Sequence, residues 1–203
     1  MVDRERARYE DGERRNDPAQ LVRMGNAAYG AGLASLMAGH DEEAREWLGR
    51  AAARWQESFA PEAWGRPIGA LKALLIAGHD EGAVEAAHWT LELGTATAES
   101  PIGRYAAALA LLTLERWPEA RHVVASLRER DDFPHDVADA LALIAAHDVV
   151  GYTEAVESVL ASFETRDAYL EDVPVADTVL ALQALARRRG FAAELQSALL
   201  PWT

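Results

Sequence analysis

The sequence predicts an all-α protein of about five antiparallel helical hairpins, and three observations lead there. An amphipathic stripe of helical period recurs at near-constant spacing, prolines open the helices between the stripes, and no stretch sustains the period-2 alternation of a strand. The clearest stripe is Ala44, Trp47, Leu48, Ala51 and Trp55. Its opposite face carries Glu42, Glu43, Arg45, Glu46, Arg50 and Arg54, with Glu46 and Arg50 one turn apart and of opposite charge.

Equivalent stripes follow at Ala83, Ala87, Leu91, then at Ala120, Val123, Val124, Leu127, then at Ala155, Val156, Val159, Leu160, Phe163. Their leading alanines lie 39, 37 and 35 residues apart, a period at which two-helix repeats occur. These second, or B, helices alternate with A helices expected to begin at Pro18, Pro67, Pro101, Pro134 and Pro174. Proline suits the first helical position because the N–H it lacks would be unpaired there anyway. Asp17 and Ser100 supply cap oxygens in two cases. A last hairpin is expected from Pro174 to about Arg188 and from Phe191 to Leu200, turned at Gly190. The other A/B turns are expected near Gly39, Gly78, Trp117 and Gly151.

The chain has 203 residues, half of them apolar, which is enough for a continuous core. Residues 1–16 read as a charged extension, frayed or helical, and 17–203 as one helical-repeat domain. Met1 to Asn16 alternates acids and arginines, which is not the pattern of a secretory signal. Apolar runs such as Tyr105 to Leu114 fall short of the ~20 residues a bilayer span needs. A cytoplasmic address without membrane contact is expected. The absence of cysteine removes disulfides and thiolate chemistry. A net charge of −13 works against binding nucleic acid.

The A helices are far less polar than the B helices. Lys72 is the one charge between Pro67 and Ala77, Arg104 between Pro101 and Leu114, and Asp139 between Val137 and Ala146. A helix apolar nearly all round must be covered on more than one side. The face around Ile68, Leu71, Leu75, Ile102, Tyr105 and Leu109 is therefore expected to meet a partner or a second copy of the chain.

Several patterns could carry chemistry. His-Asp occurs at His40-Asp41, His79-Asp80, His135-Asp136 and His147-Asp148 and resembles the signature of metal-dependent HD-type phosphohydrolases, which are all-α. The first two pairs also fit equivalent turns, with Gly39 and Gly78 ending one helix and aspartate beginning the next. Glu85-x-x-His88 and Glu119-x-x-His122 have the spacing of di-iron ligands, but the A helices that should complete the set, Pro67 to Ala77 and Pro101 to Leu114, hold no glutamate. Gly25 to Gly32 follows no strand and precedes no Lys-Ser or Lys-Thr, so it is no phosphate loop. No Gly-x-Ser-x-Gly is present. Of the six tryptophans, Trp47 and Trp55 lie on the core stripe, and Trp202 sits at the terminus. The expectation is no catalytic residue, no metal and no cofactor.

The run Gly39-x-x-x-Glu43-Ala44-x-x-x-Leu48-x-x-Ala51 resembles the turn and second helix of a tetratricopeptide repeat. Gly78, Ala83 and Ala87 keep part of it, and the later repeats keep the small leading residue and the stripe. The resemblance implies a tetratricopeptide-like α-solenoid that binds a protein or peptide. In members that hold a partner's C-terminal carboxylate, basic and asparagine side chains on A helices make the clamp. Arg23 and Lys72 each follow the helix-opening proline by five residues, and Asn26 lies one turn beyond Arg23. Arg23, Asn26, Lys72, Leu71, Tyr105 and Leu109 are the candidate partner-binding residues. The size, the acidity and the stretch Tyr169 to Arg189 also resemble the small all-α immunity proteins of bacterial toxin systems. That resemblance would place Asp131, Asp132, Glu171 and Asp172 against a basic toxin.

Overall fold

The computed structural model describes residues 1–15 and 20–201, the side chains of Arg14 and Arg15 excepted. Among the described residues ten α-helices follow one another: α1 (Val2–Arg15), α2 (Gln20–Met37), α3 (Asp41–Glu57), α4 (Gly65–Ile76), α5 (Asp80–Glu92), α6 (Pro101–Thr113), α7 (Trp117–Arg128), α8 (His135–Ala146), α9 (Val149–Glu164) and α10 (Asp177–Arg188). Short 3-10 turns lie at Thr95–Thr97 and Leu170–Asp172, and no strand occurs among the described residues. From α1 to α9 each helix packs against the next in sequence. The A helices are α2, α4, α6, α8 and α10, and the B helices are α3, α5, α7 and α9.

One kind of hydrogen-bonded turn closes the four A/B hairpins and ends α10. In each, an N–H reaches back five residues to a carbonyl, as in His40 to Ser35, His79 to Leu74, Arg116 to Leu111, Asp148 to Leu143 and Phe191 to Ala186. This is the Schellman closure, which needs a left-handed residue just past the helix. Glycine fills that place at Gly39, Gly78 and Gly190, with φ of 75°, 64° and 90°. Glu115 and His147 fill it in the third and fourth hairpins, with φ of 58° and 62°. Those two turns therefore sit a little before Trp117 and Gly151, which already belong to the first turns of α7 and α9.

The stripes expected for the B helices are core. Ala44, Leu48, Ala51, Ala120, Val124, Leu127, Val156 and Val159 are each 2% exposed or less. Ser100 caps α6 by accepting from the Ile102 N–H, with Pro101 first in the helix. The other helix starts need correction. Pro67 is third in α4, Pro134 precedes α8 as its cap residue, and Pro174 stands three residues before α10. All of these places tolerate a missing N–H, so proline locates a helix start only to within a turn. Pro18, Asp17 and Trp202 lie outside the described residues.

The expected final helix from Phe191 to Leu200 is not formed. The chain beyond Gly190 runs back along α10, and its backbone groups find tertiary partners instead of helical ones. Gln183 donates Nε2–H to the Ala193 carbonyl at 2.6 Å and accepts the Ala193 N–H at 3.1 Å, while Ala176 N–H donates to the Leu199 carbonyl at 3.0 Å.

The A-helix face expected to be open is largely closed within the chain. Helix α10 packs on α4, α6, α8 and α9, and Leu71, Leu109, Leu182 and Leu185 are all fully buried. Leu71 and Leu109 are thus core residues. Residues 2–15 form a packed helix rather than a frayed end, with Tyr9 buried edge-on against Trp47 at 5.4 Å.

Trp55 is gripped by two glycines. A methyl group at Gly25 of α2 would stand 2.7 Å from the indole Cδ1, and one at Gly69 of α4 would stand 2.7 Å from Cε3. In an open helix, Gly→Ala gains up to about 1 kcal/mol, whereas overpacking a filled site costs about 1–3 kcal/mol. Gly25→Ala and Gly69→Ala are therefore each expected to lower the denaturant midpoint. A rise in either would show that the indole can move aside.

Candidate functional site

A cleft of about 610 Å³ opens where α2, α4 and the start of α6 meet the turn at Leu170–Asp172. Tyr29 and Trp55 line its inner end and Trp64 its side. The Trp55 Nε1–H donates to Asn26 Oδ1 at 3.1 Å, which turns the Asn26 amide N–H₂ away from the indole. Trp64 packs on Phe59, which in turn meets Trp89 edge-on at 5.7 Å. Ile102 and Leu170 stand at the mouth, 42% and 47% exposed.

The floor is an ion pair inside the protein. Lys72 Nζ lies 2.6 Å from Asp177 Oδ2 and donates to Thr178 Oγ1 at 3.0 Å, while the Tyr29 hydroxyl donates to Asp177 Oδ2 at 2.9 Å. Burial by itself would raise the Asp177 pKa. The Lys72 charge and hydrogen bond, joined by the Tyr29 hydroxyl, outweigh it and hold the carboxyl below its usual range. Burial first, and then the Asp177 charge, push the Tyr29 hydroxyl well above the ordinary tyrosine value. Tyr29 therefore stays a donor.

The candidates from the sequence divide accordingly. Asn26 and Lys72 share the cleft. Arg23 is exposed outside it, near Gln20, so Arg23 and Lys72 do not make a joint clamp. Tyr105 is buried behind the floor, its ring 5.4 Å from Phe133. The carboxylate that meets Lys72 is the chain's own, from the first residue of α10. Asp177, Tyr29 and Leu170 are not legible as site residues in the sequence, and Trp64 is so only as one of six tryptophans that could form an aromatic surface. The one local hint was an apolar Leu170 inside an otherwise acidic turn.

The turn at the mouth is held from α1. Glu171 and Asp172 both have left-handed backbones, φ 52° and 56°. Arg8 pairs with Glu171 and with the fully buried Glu5, and Arg4 donates to the Glu171 carbonyl at 2.8 Å with Asp172 3.7 Å away. Two of the acids assigned to a basic toxin are thus engaged within the chain, and a third, Asp132, accepts from Nε and Nη2 of Arg130, each at 2.7 Å.

The His-Asp pairs sit in separate turns. His79 Nε2 lies 3.1 Å from the Arg45 carbonyl, His147 stacks on Phe191 at 5.4 Å, and Asp80 accepts from Arg188. Among the described residues no three His, Asp or Glu side chains are placed to share a metal ion. His88 and His122 are exposed on α5 and α7. No helix of the described residues is long and apolar enough to cross a membrane. A scan against protein-family models finds no match, and comparisons with curated proteins and with solved structures find none either.

Proposed function

We propose that this protein is a non-enzymatic, tetratricopeptide-like stack of hairpins that serves as a protein-binding scaffold, with the cleft between α2, α4 and α6 as its docking site. The observation that carries the reading is the pair Ile102 and Leu170, large apolar side chains that are left about half exposed and line one cleft. Scattered apolar residues on a surface mean little, but apolar residues that converge on a concave, aromatic-lined site mark a binding site. The four equivalent A/B turn closures support the repeat architecture.

A displayed peptide library tests the proposal. It is expected to yield peptides whose binding is lost in Ile102→Glu and kept in Val150→Glu, since Val150 is 74% exposed on α9 and does not line the cleft. A library that yields no binder sinks the scaffold reading. The competing HD-type phosphohydrolase would instead show phosphodiester hydrolysis with Mn²⁺ that His79→Ala abolishes.

A further inference from the structure

The cleft's chemistry defines what it takes. Its charged lining residues are Lys72, Arg66, Asp177 and Glu62, two cations and two carboxylates, so its local charge is zero. Lys72 already faces Asp177, and Arg66 donates to the Ser58 carbonyl. The whole molecule adds a net charge of −13, which disfavours an incoming anion. Two of the lining residues nevertheless keep hydrogen-bond donors to offer a ligand. Two of the three Lys72 protons are spoken for, and one remains. Asn26 also lines the cleft; its oxygen is taken by Trp55, and among the described residues its amide N–H₂ has no hydrogen-bond acceptor. A site of zero net charge, aromatic-walled and with donors left to offer, fits a neutral acceptor attached to an apolar body.

The mouth points the same way. Two consecutive non-glycine residues in the left-handed region cost about 1–3 kcal/mol each, and such strain persists only where surrounding contacts impose it. Here Arg4 and Arg8 impose it on Glu171 and Asp172, and Gly30 leaves the room. A methyl group on Gly30 would come within 3.1 Å of Glu171 Cβ and 3.2 Å of Glu5 Cγ. The result is to hold Leu170 out at the cleft rather than to bury it.

We propose that the cleft grips one uncharged apolar or aromatic side chain of a peptide between Ile102 and Leu170, with the peptide's backbone carbonyl facing Asn26 and Lys72. This rests on the scaffold reading and replaces a carboxylate with a neutral ligand. Leu170 is a specificity-determining residue that touches the ligand directly.

The test uses the full chain, ¹⁵N-labelled, titrated with N-acetyl-L-phenylalaninamide and separately with N-acetyl-L-phenylalanine at pH 7. The indole N–H signals of Trp55 and Trp64 are assigned with tryptophan-to-phenylalanine variants. Both signals are expected to shift saturably with the amide, at about millimolar affinity for so small a probe. The acid is expected to bind at least several-fold more weakly. Leu170→Ala should weaken the amide roughly fivefold or more, with an unchanged melting temperature because Leu170 is half exposed. Tighter binding of the acid overturns the neutral ligand, and unchanged affinity in Leu170→Ala removes Leu170 from the grip. If neither indole signal moves, the cleft assignment fails, while display peptides that bind elsewhere leave the scaffold reading standing. If the amide saturates the cleft and the library gives no binder, the scaffold reading fails instead.

Discussion

Leu182→Asp is expected to leave no cooperatively folded monomer, whereas Val150→Asp is expected to change stability by less than about 0.5 kcal/mol. Leu182 is fully buried in the middle of α10 and Val150 is 74% exposed at the start of α9. An unpaired carboxylate in an apolar interior costs several kcal/mol even after it neutralises, against a total stability of about 5–15 kcal/mol for a typical domain. Leu182→Ala, which keeps the site neutral, is expected to cost about 2–5 kcal/mol. Near-UV circular dichroism and light scattering would read the outcome. A chain ended at Val173 tests the same point more severely, because it uncovers Leu71, Leu109 and their neighbours. It is expected to self-associate or to lose its near-UV signal. A truncated chain that stays a folded monomer would show that α10 is an accessory and that the A-helix face can stand in water.

Much of this arrangement could be read from residue order alone, and the exceptions share a cause. The B-helix stripes, such as Ala44, Leu48 and Ala51, are buried as their period requires, because a one-sided helix has only one way to face a core. The turns at Gly39 and Gly78 were visible for the same local reason. At Glu115 and His147 a residue with a side chain adopts the glycine conformation, and no local preference announces that. The tail beyond Gly190 has helical spacing but is not helical, and its hydrogen bonds go to Gln183 and Ala176, outside the tail. The cleft follows the same division. Counting along the A helices found Asn26 and Lys72. It could not find Asp177, which comes from a helix 105 residues after Lys72, or Leu170, which is presented by arginines of α1. The expectation that the A helices need a cover was sound physics; the cover is the chain's own last helix.

The Lys72–Asp177 pair gives the second large effect. Removing one member of an ion pair held within a protein strands the other charge and costs about 3–5 kcal/mol, whereas replacing both with apolar residues is often neutral or better. Asp177→Ala leaves the Lys72 ammonium beside Tyr29 and Thr178 with no carboxylate in contact. It is expected to lose about 3–5 kcal/mol, and Lys72→Met to lose a comparable amount by stranding Asp177. The double variant Lys72→Met/Asp177→Leu should recover to within about 1 kcal/mol of the parent. The pH dependence has a defined sign. Because folding lowers the Asp177 pKa, its stabilisation is complete above the unfolded value of about 3.9 and is lost as pH falls through the lower folded value. The gap between the parent and Asp177→Ala should therefore be constant from neutral pH to about pH 5 and narrow below it. Guanidinium titrations at a series of pH values measure this directly. Additive losses in the double variant, or a gap that fails to narrow in acid, would show that the cleft floor is held by packing around Tyr29 and Trp55 and not by the charge pair.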